Sequence, residues 1–206
     1  MRTTPDGSTV TRTYTAVDPS PAEGTFAVDF VLHGDEGVAG RWAATVRPGD
    51  GLTVRGPGGT YAPDLTADWH LLVGDESGLP AIRAALATLP ADARGYAVIE
   101  VPSAVHRQPL EAPAGVEVRW VDALVDAPLE DVVRDLPWLL GRVHAFVHGE
   151  SRVTMRRIRP YLLNERGMPR GDLSISGYWR RGNSEDAFRT WKRAQNTDRQ
   201  AAYAAR

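Results

Sequence analysis

Two rhythms divide this chain. As far as about residue 66, short runs alternate apolar and polar positions: STVTRTYTAV (8–17), TFAVDFVLH (25–33) and LTVRGPGG (52–59). A period of two in β-branched and aromatic residues predicts strands, and the Pro- and Gly-bearing DPSPAEG between the first two predicts a turn. GVAGRWAATV (37–46) is Ala-rich and predicts a brief helix. Together these predict part of a small antiparallel β-barrel over residues 1–66.

From WHLLVGDESGLPAIRAALATLP (69–90) onward the rhythm changes. An apolar run reaches a Gly turn and then a helix with Pro80 in its first turn, where a missing N–H costs nothing. GYAVIEV, GVEVRWV, VHAFVHGE and DLSISGYW predict further strands, and PLEDVVRDLPWL a short helix. SRVTMRRIRPYLLNERG predicts a helix that ends at Gly167, and Pro160 should kink it or close its first part near Arg159. Strands alternating with helices predict right-handed βαβ units and a parallel sheet over residues 67–206, closed by a helix-prone C-terminal tail. The boundary falls in YAPDLTAD (61–68).

Composition narrows the function. There is no cysteine among the 206 residues, which excludes disulfides and thiol redox chemistry. No apolar run has the length of a bilayer span and no signal-like start is present, so a cytoplasmic protein without membrane contact is expected. Net charge is −2 but uneven: 14 basic residues to 6 acidic ones from residue 142 onward give +8, and 10 to 20 before it give −10. The basic half predicts an anionic partner. The Arg residues are dispersed and no nucleic-acid motif occurs, so a nucleotide cofactor or an anionic small molecule is the expected partner rather than RNA or DNA. The five His residues lack metal-ligand spacing, and no GxSxG elbow supports a hydrolase.

In an open parallel sheet, ligands bind beyond the carboxyl ends of the strands. Two strands end there in Gly and an acid, LLVGDES and FVHGES. Gly admits close backbone approach, and a following helix directs free N–H groups at phosphate. A tight turn with Asp75 or Ser77 as a helix cap accounts for the same residues. In DFVLHGDEGVAGRWA, His33 is followed by Gly34, Gly37 and Gly40 before Trp42. That loop suits a pyrophosphate, and it equally suits a solvent loop with Trp42 in the core.

In order along the chain, RTYT, DFVLHGDEGVAGRWA, GDGLTVRGPGG, LLVGDESGLPAI, VHGES and SISGYWRRG resemble the siderophore-interacting proteins, FAD-dependent ferric-siderophore reductases related to ferredoxin–NADP reductases. The resemblance runs from about residue 10 to about residue 190. It implies a β-barrel FAD domain followed by an α/β domain for NADPH or NADH. Arg12, Tyr14 and Thr15 match the flavin motif, with Tyr14 beside the isoalloxazine, Thr15 hydrogen-bonded to it and Arg12 facing the phosphates. Asp29 and His33 match the strand that also touches FAD, and Gly37, Val38, Ala39, Trp42 and Ala43 match the loop and short helix at the pyrophosphate. Gly74, Asp75, Glu76, Ser77 and Pro80, with Gly149 and Glu150, match the nicotinamide-nucleotide turns. Arg107 offers a partner to a 2′-phosphate. Arg180 and Arg181 are the candidates for an anionic ferric siderophore, which hydride transfer to the flavin followed by electron transfer to iron would open as Fe(II).

The chain departs from the family pattern at Ser77 and Gly78, at GVAG, and at its front. Family members reach RTYT after about three barrel strands, on the order of 50 residues, whereas eleven precede it here. The expectation is therefore a barrel lacking part of its wall, explained by an upstream start, a truncation, or completion by a second copy in a homodimer. A truncated, non-catalytic remnant that binds an anionic chelate or nucleotide is the alternative function. A reductase that uses free flavin is a third.

Overall fold

The computed structural model describes residues 2–3, 9–32, 38–56, 58–59 and 61–183. His33 and Gly37, Gly34 in the same loop and the expected C-terminal helix lie outside the described residues.

The second half forms as its pattern predicts. Strands β5 (Trp69–Asp75), β6 (Arg94–Val101), β7 (Gly115–Asp122), β8 (Val143–Glu150) and β9 (Leu173–Trp179) make one parallel sheet in the order β7-β6-β5-β8-β9. Every residue of β5 and of β8 is buried, which is why both read as near-continuous apolar runs. Helix α2 (Leu79–Thr88) covers one face, packing Ile82 and Leu86 on Leu72, Ala97, Ile99 and Phe146. Helix α3 (Leu129–Arg134) and two wide-turned segments, Val153–Ile158 and Tyr161–Glu165, cover the other face around Trp69, Leu71 and Val98.

Pro160 sits between the two wide-turned segments, and the backbone stays helical through Arg159 (φ −57°, ψ −49°) and Pro160 (φ −62°, ψ −38°), so the helix does not end near Arg159. Both segments are π-helical, with i→i+5 turns that leave room for a residue lacking an N–H. The run closes at Gly167, whose φ of +67° a side chain would resist, and Met168 N–H donates back to the Leu162 carbonyl at 3.0 Å.

The N-terminal part is a partial antiparallel barrel reduced to short pairs: β1 (Arg2–Thr3) with β2 (Thr9–Val10), and β3 (Val17–Ser20) with β4 (Thr25–Ala27). The DPSPAEG turn joins the second pair, and helix α1 (Val38–Thr45) stands where GVAGRWAATV predicts it. The strands expected over 8–17, 25–33 and 52–59 are shortened or absent among the described residues, with 11–16 running outside any ladder. Alternation prepares two faces, but a strand also needs a neighbour in register along a ladder, and no ladder forms over these stretches among the described residues. Phe26, Leu32, Leu52 and Val54 are exposed, and Val17 is the one apolar side chain before residue 61 that is buried among the described residues.

Candidate functional site

Strand order reverses beside β5: β6 and β7 lie to one side of it, β8 and β9 to the other. In open parallel sheets the ligand crevice lies where the order reverses, which here is beyond the carboxyl ends of β5 and β8. Gly74 and Asp75 end one of these strands, and Gly149 and Glu150 end the other.

Asp75, only 8% exposed, ties the crevice floor together. Its Oδ1 accepts from Ser77 N–H at 2.9 Å and from the Ser77 hydroxyl at 2.5 Å. Its Oδ2 accepts from Glu150 N–H and from Trp179 Nε1–H, both at 2.7 Å. The carboxylate thus joins the ends of β5, β8 and β9. Glu150 repeats the device one strand over. Oε2 accepts from the N–H groups of Arg152 and Val153 at 2.6 and 2.9 Å, capping the following helix, and Oε1 accepts from Arg181 N–H at 3.2 Å. The glycines interlock with these turns. A Cβ on Gly74 or Gly78 would fall 2.8 or 2.6 Å from the His148 carbonyl, and one on Gly149 would fall 2.7 Å from Asp75 Oδ2. Packing alone therefore accounts for Gly at these three positions.

Charge is graded along the rim. Burial, with Asp75 in register on the next strand, pushes the Glu100 carboxyl up against the opposing pull of Arg181. Burial and the same aspartate push the Tyr178 phenol up. Tyr178, 40% exposed, leans on His148 at 4.8 Å between ring centres. His148 in turn stacks on Phe146 at 4.0 Å and meets Ser174 Oγ at 3.0 Å through Nε2. Arg180 and Arg181 follow directly, and the Glu150 carboxylate draws Arg152 in beside Arg181.

On the N-terminal side, Tyr14 meets Phe30 at 4.6 Å, and Phe30 meets the edge of Trp42 at 5.8 Å. One aromatic cluster thereby joins the RTYT run, the DFVLH run and α1. Tyr14 is 41% exposed, and Arg12 Nη1 donates to the Thr11 carbonyl at 3.2 Å. Val38 and Ala39 form the first turn of α1, and Ala43 stands on the turn with Trp42. Asp29 pairs with Arg83 of α2 at 3.6 Å.

A cleft of roughly 230 Å³ lies between Phe30, Val31 and Leu32 on one side and Glu76, Leu79, Pro80 and His106 on the other. Glu76 Oε1 and His106 Nδ1 are 2.8 Å apart across its rim. His106 belongs to a 3-10 turn, Ala104–His106, that the Asp122 carboxylate holds through Ala104 N–H at 3.0 Å, and Arg107 follows it. Gln108, bonded to Arg83 at 2.7 Å, closes that side.

The residues fit a flavin-sized group in chemistry: Tyr14 offers a half-exposed ring beside Phe30, which lines the cleft, and the half-buried Thr15 and Arg12 offer a hydroxyl and a cation. Among the described residues no group of three or more His, Cys, Asp or Glu side chains is disposed to hold a metal. No described helix is long and apolar enough to cross a membrane.

Reading along the chain missed Phe30, which bridges two motifs, because its role exists only across them. It missed Trp179, whose indole is committed to Asp75 from 104 residues away. It missed Glu76–His106 as a pair, although each residue stands beside a strand end, where ligand-facing loops are expected.

The chain matches the family model "Siderophore-interacting protein" over residues 67–182 and the model "Siderophore-interacting FAD-binding domain" over residues 2–61. It is 50% identical over 195 residues to an uncharacterized protein of Mycobacterium tuberculosis, covering 88% of this chain and 69% of that one. It is 32% identical over 189 residues to the ferric vibriobactin reductase ViuB of Vibrio cholerae, covering 89% and 69%. Its fold superposes on the siderophore-interacting protein SipS from Aeromonas hydrophila with a TM-score of 0.82, at 34% identity, covering 94% of this chain and 77% of SipS.

Proposed function

We propose, from the premise that this chain belongs to the siderophore-interacting protein family, that it is an FAD-dependent reductase which takes electrons from NADH or NADPH and delivers them to a ferric siderophore. The observation that carries the reading is the joining of three segments that resemble the flavin motif by the Tyr14–Phe30–Trp42 cluster, with Phe30 lining a cleft shared with Glu76 and Pro80 just past the end of β5.

FAD, when bound, supplies the exchange between hydride uptake and single-electron delivery. The chain's own residues bind and orient. Tyr14 offers a ring face and an edge to a planar partner, Thr15 a hydroxyl, and Arg12 a cation for phosphate. Val38 and Ala39, small and at the start of α1, leave its first N–H groups approachable. Asp75 and Glu150 act by holding the turns: with Asp75's oxygens bonded to Ser77, Glu150 and Trp179, its part is to set the crevice floor. Ser77, Pro80, Gly74 and Gly149 shape the same floor, and Glu76 faces the cleft with His106. Arg107 is the candidate partner of a 2′-phosphate. Arg180 and Arg181 lie at the end of β9, where a cationic rim suits an anionic chelate. Siderophore oxygens hold Fe(III) more firmly than Fe(II), so reduction loosens the metal.

The reading is tested by absorbance and turnover. Purified chain is mixed with FAD and desalted, its visible spectrum recorded, and NADH or NADPH oxidation followed with a ferric chelate and an Fe(II) indicator. A retained flavin spectrum with Fe(II) formation is expected. Arg180→Glu with Arg181→Glu should raise KM for an anionic chelate by about tenfold, an effect that salt diminishes. No flavin and no Fe(II) formation, with FAD added in excess, would overturn it.

A further inference from the structure

The boundary segment 61–68 is tied to the sheet along its length. Asp64 N–H donates to His144 Nδ1 at 3.1 Å. The Tyr61 ring lies parallel to the His144 imidazole at 5.6 Å and tilts onto Phe146 at 4.6 Å. Arg142 grips the same segment from the start of β8. Its Nη2 donates to Asp64 Oδ2 and Thr66 Oγ1, both at 2.7 Å, and its Nη1 to Asp172 Oδ1 at 2.9 Å. Arg142 N–H donates to Asp68 Oδ2 at 2.6 Å, and Asp68 N–H returns a bond to the Arg142 carbonyl at 2.9 Å. Gly141 makes room for this: its φ is +98°, and a Cβ there would fall 2.5 Å from the Asp68 side chain.

His144 accepts through Nδ1 only while its ring is neutral, with the hydrogen on Nε2. A proton on Nδ1 would turn the acceptor into a donor aimed at another donor. The groups facing the ring are Tyr61, Asp64, Arg142, Asp172 and His70, the last edge-on at 6.4 Å. Burial holds His144 neutral, with Arg142 adding to it and Asp64 and Asp172 opposing. His70 is 2% exposed, and its Nδ1 meets no hydrogen-bond partner among the described residues.

We propose that residues 61–68 form a proton-sensitive clasp, and that His144 and Arg142 are positioning residues which, through it, hold the flavin-side strands at the crevice. The consequence for turnover rests on the reductase reading; the clasp itself does not. Upstream of the clasp, the chain also meets the α/β half through the Asp29–Arg83 pair, the cleft walls and the packing of β3 on α2, so a released segment frees one anchor among several.

Amide exchange of the full chain tests this, with β5 as the internal reference. At about pH 7.5, His144→Leu should lower the protection of residues 61–68 by about tenfold or more while β5 keeps its own. His144→Asn, whose Oδ1 takes the place of Nδ1 and does not titrate, should retain it. Between about pH 7.5 and about pH 5, after correction for intrinsic exchange, the wild-type clasp should open and the Asn variant's should not. Unchanged protection in His144→Leu, or equal acid opening in His144→Asn, would overturn the proposal. Should the Leu variant lose β5 protection as well, Arg142→Gln and the wild-type-against-Asn comparison decide. If the chain proves to be a reductase, the Leu variant should lower kcat with KM for the ferric chelate unchanged. Absence of turnover would count against the reductase reading and leave the exchange results standing.

Discussion

Asp75 shows how one side chain sets a site without facing it. Four donors converge on its carboxylate from Ser77, Glu150 and Trp179. Asp75→Asn keeps the shape but turns one acceptor into a donor, opposing at least one of those N–H groups. The expected loss is about 2 kcal/mol, read as a lower urea midpoint at constant slope. Ser77→Ala removes one of the four bonds and should cost about 1 kcal/mol. Along the sequence, Gly74–Asp75 reads as a turn near a ligand, which locates the residue well. That its oxygens are spent on Trp179, 104 positions away, is invisible until β9 is placed beside β8.

At the scale of elements, the strands and helices from β5 onward were legible because the central strands β5 and β8 are buried throughout and the turns carry Gly and Pro. The helix after β8 was legible too, although its unbroken passage through Pro160 on π-helical turns was not: widening answers the crowding of the ring inside a packed helix. Leu162, with no exposed surface, anchors that helix to the core around Trp69 and Val98. Tyr161 beside it donates to the Arg134 carbonyl at 3.3 Å. Leu162→Ala should cost about 3 kcal/mol by the cavity it leaves, measured by thermal or urea unfolding. The N-terminal runs were less legible. Their alternation is as clear as that of any strand, yet 11–16 lies outside any strand ladder among the described residues, since pairing is a property of neighbours rather than of a run.

For the molecule as a whole, the acid limit should be set partly by buried imidazoles. Burial lowers the pKa of both His70 and His144, with each ring's neighbours modifying the effect. A folded state that resists a proton the unfolded chain accepts loses stability as pH falls below the unfolded value of about 6.5, and is least affected above it. The unfolding midpoint should therefore drop between about pH 7 and about pH 5, and His144→Asn should flatten part of that slope. An unchanged wild-type midpoint over this range would place both imidazoles outside the acid response. The whole-chain charge division, acidic before residue 142 and basic after it, finds its structural counterpart at the end of β9. There Glu150 gathers the backbone of Arg152 and Arg181.

By itself the sequence determined the α/β half, its strand ends and the family. Burial, turn geometry and short motifs are local consequences of residue type, and they survive being read in one dimension. Only the tertiary structure decided which residues share a carboxylate, that Phe30 joins two motifs, and that the boundary segment is fastened to His144 and Arg142. The Asp64–His144 and Asp75–Trp179 contacts join positions 80 and 104 residues apart, and even Phe30 reaches across 16 and 12 positions to Tyr14 and Trp42. Their energies depend on desolvation and on geometry within an ångström, and neither is written in the spacing of residues along a chain.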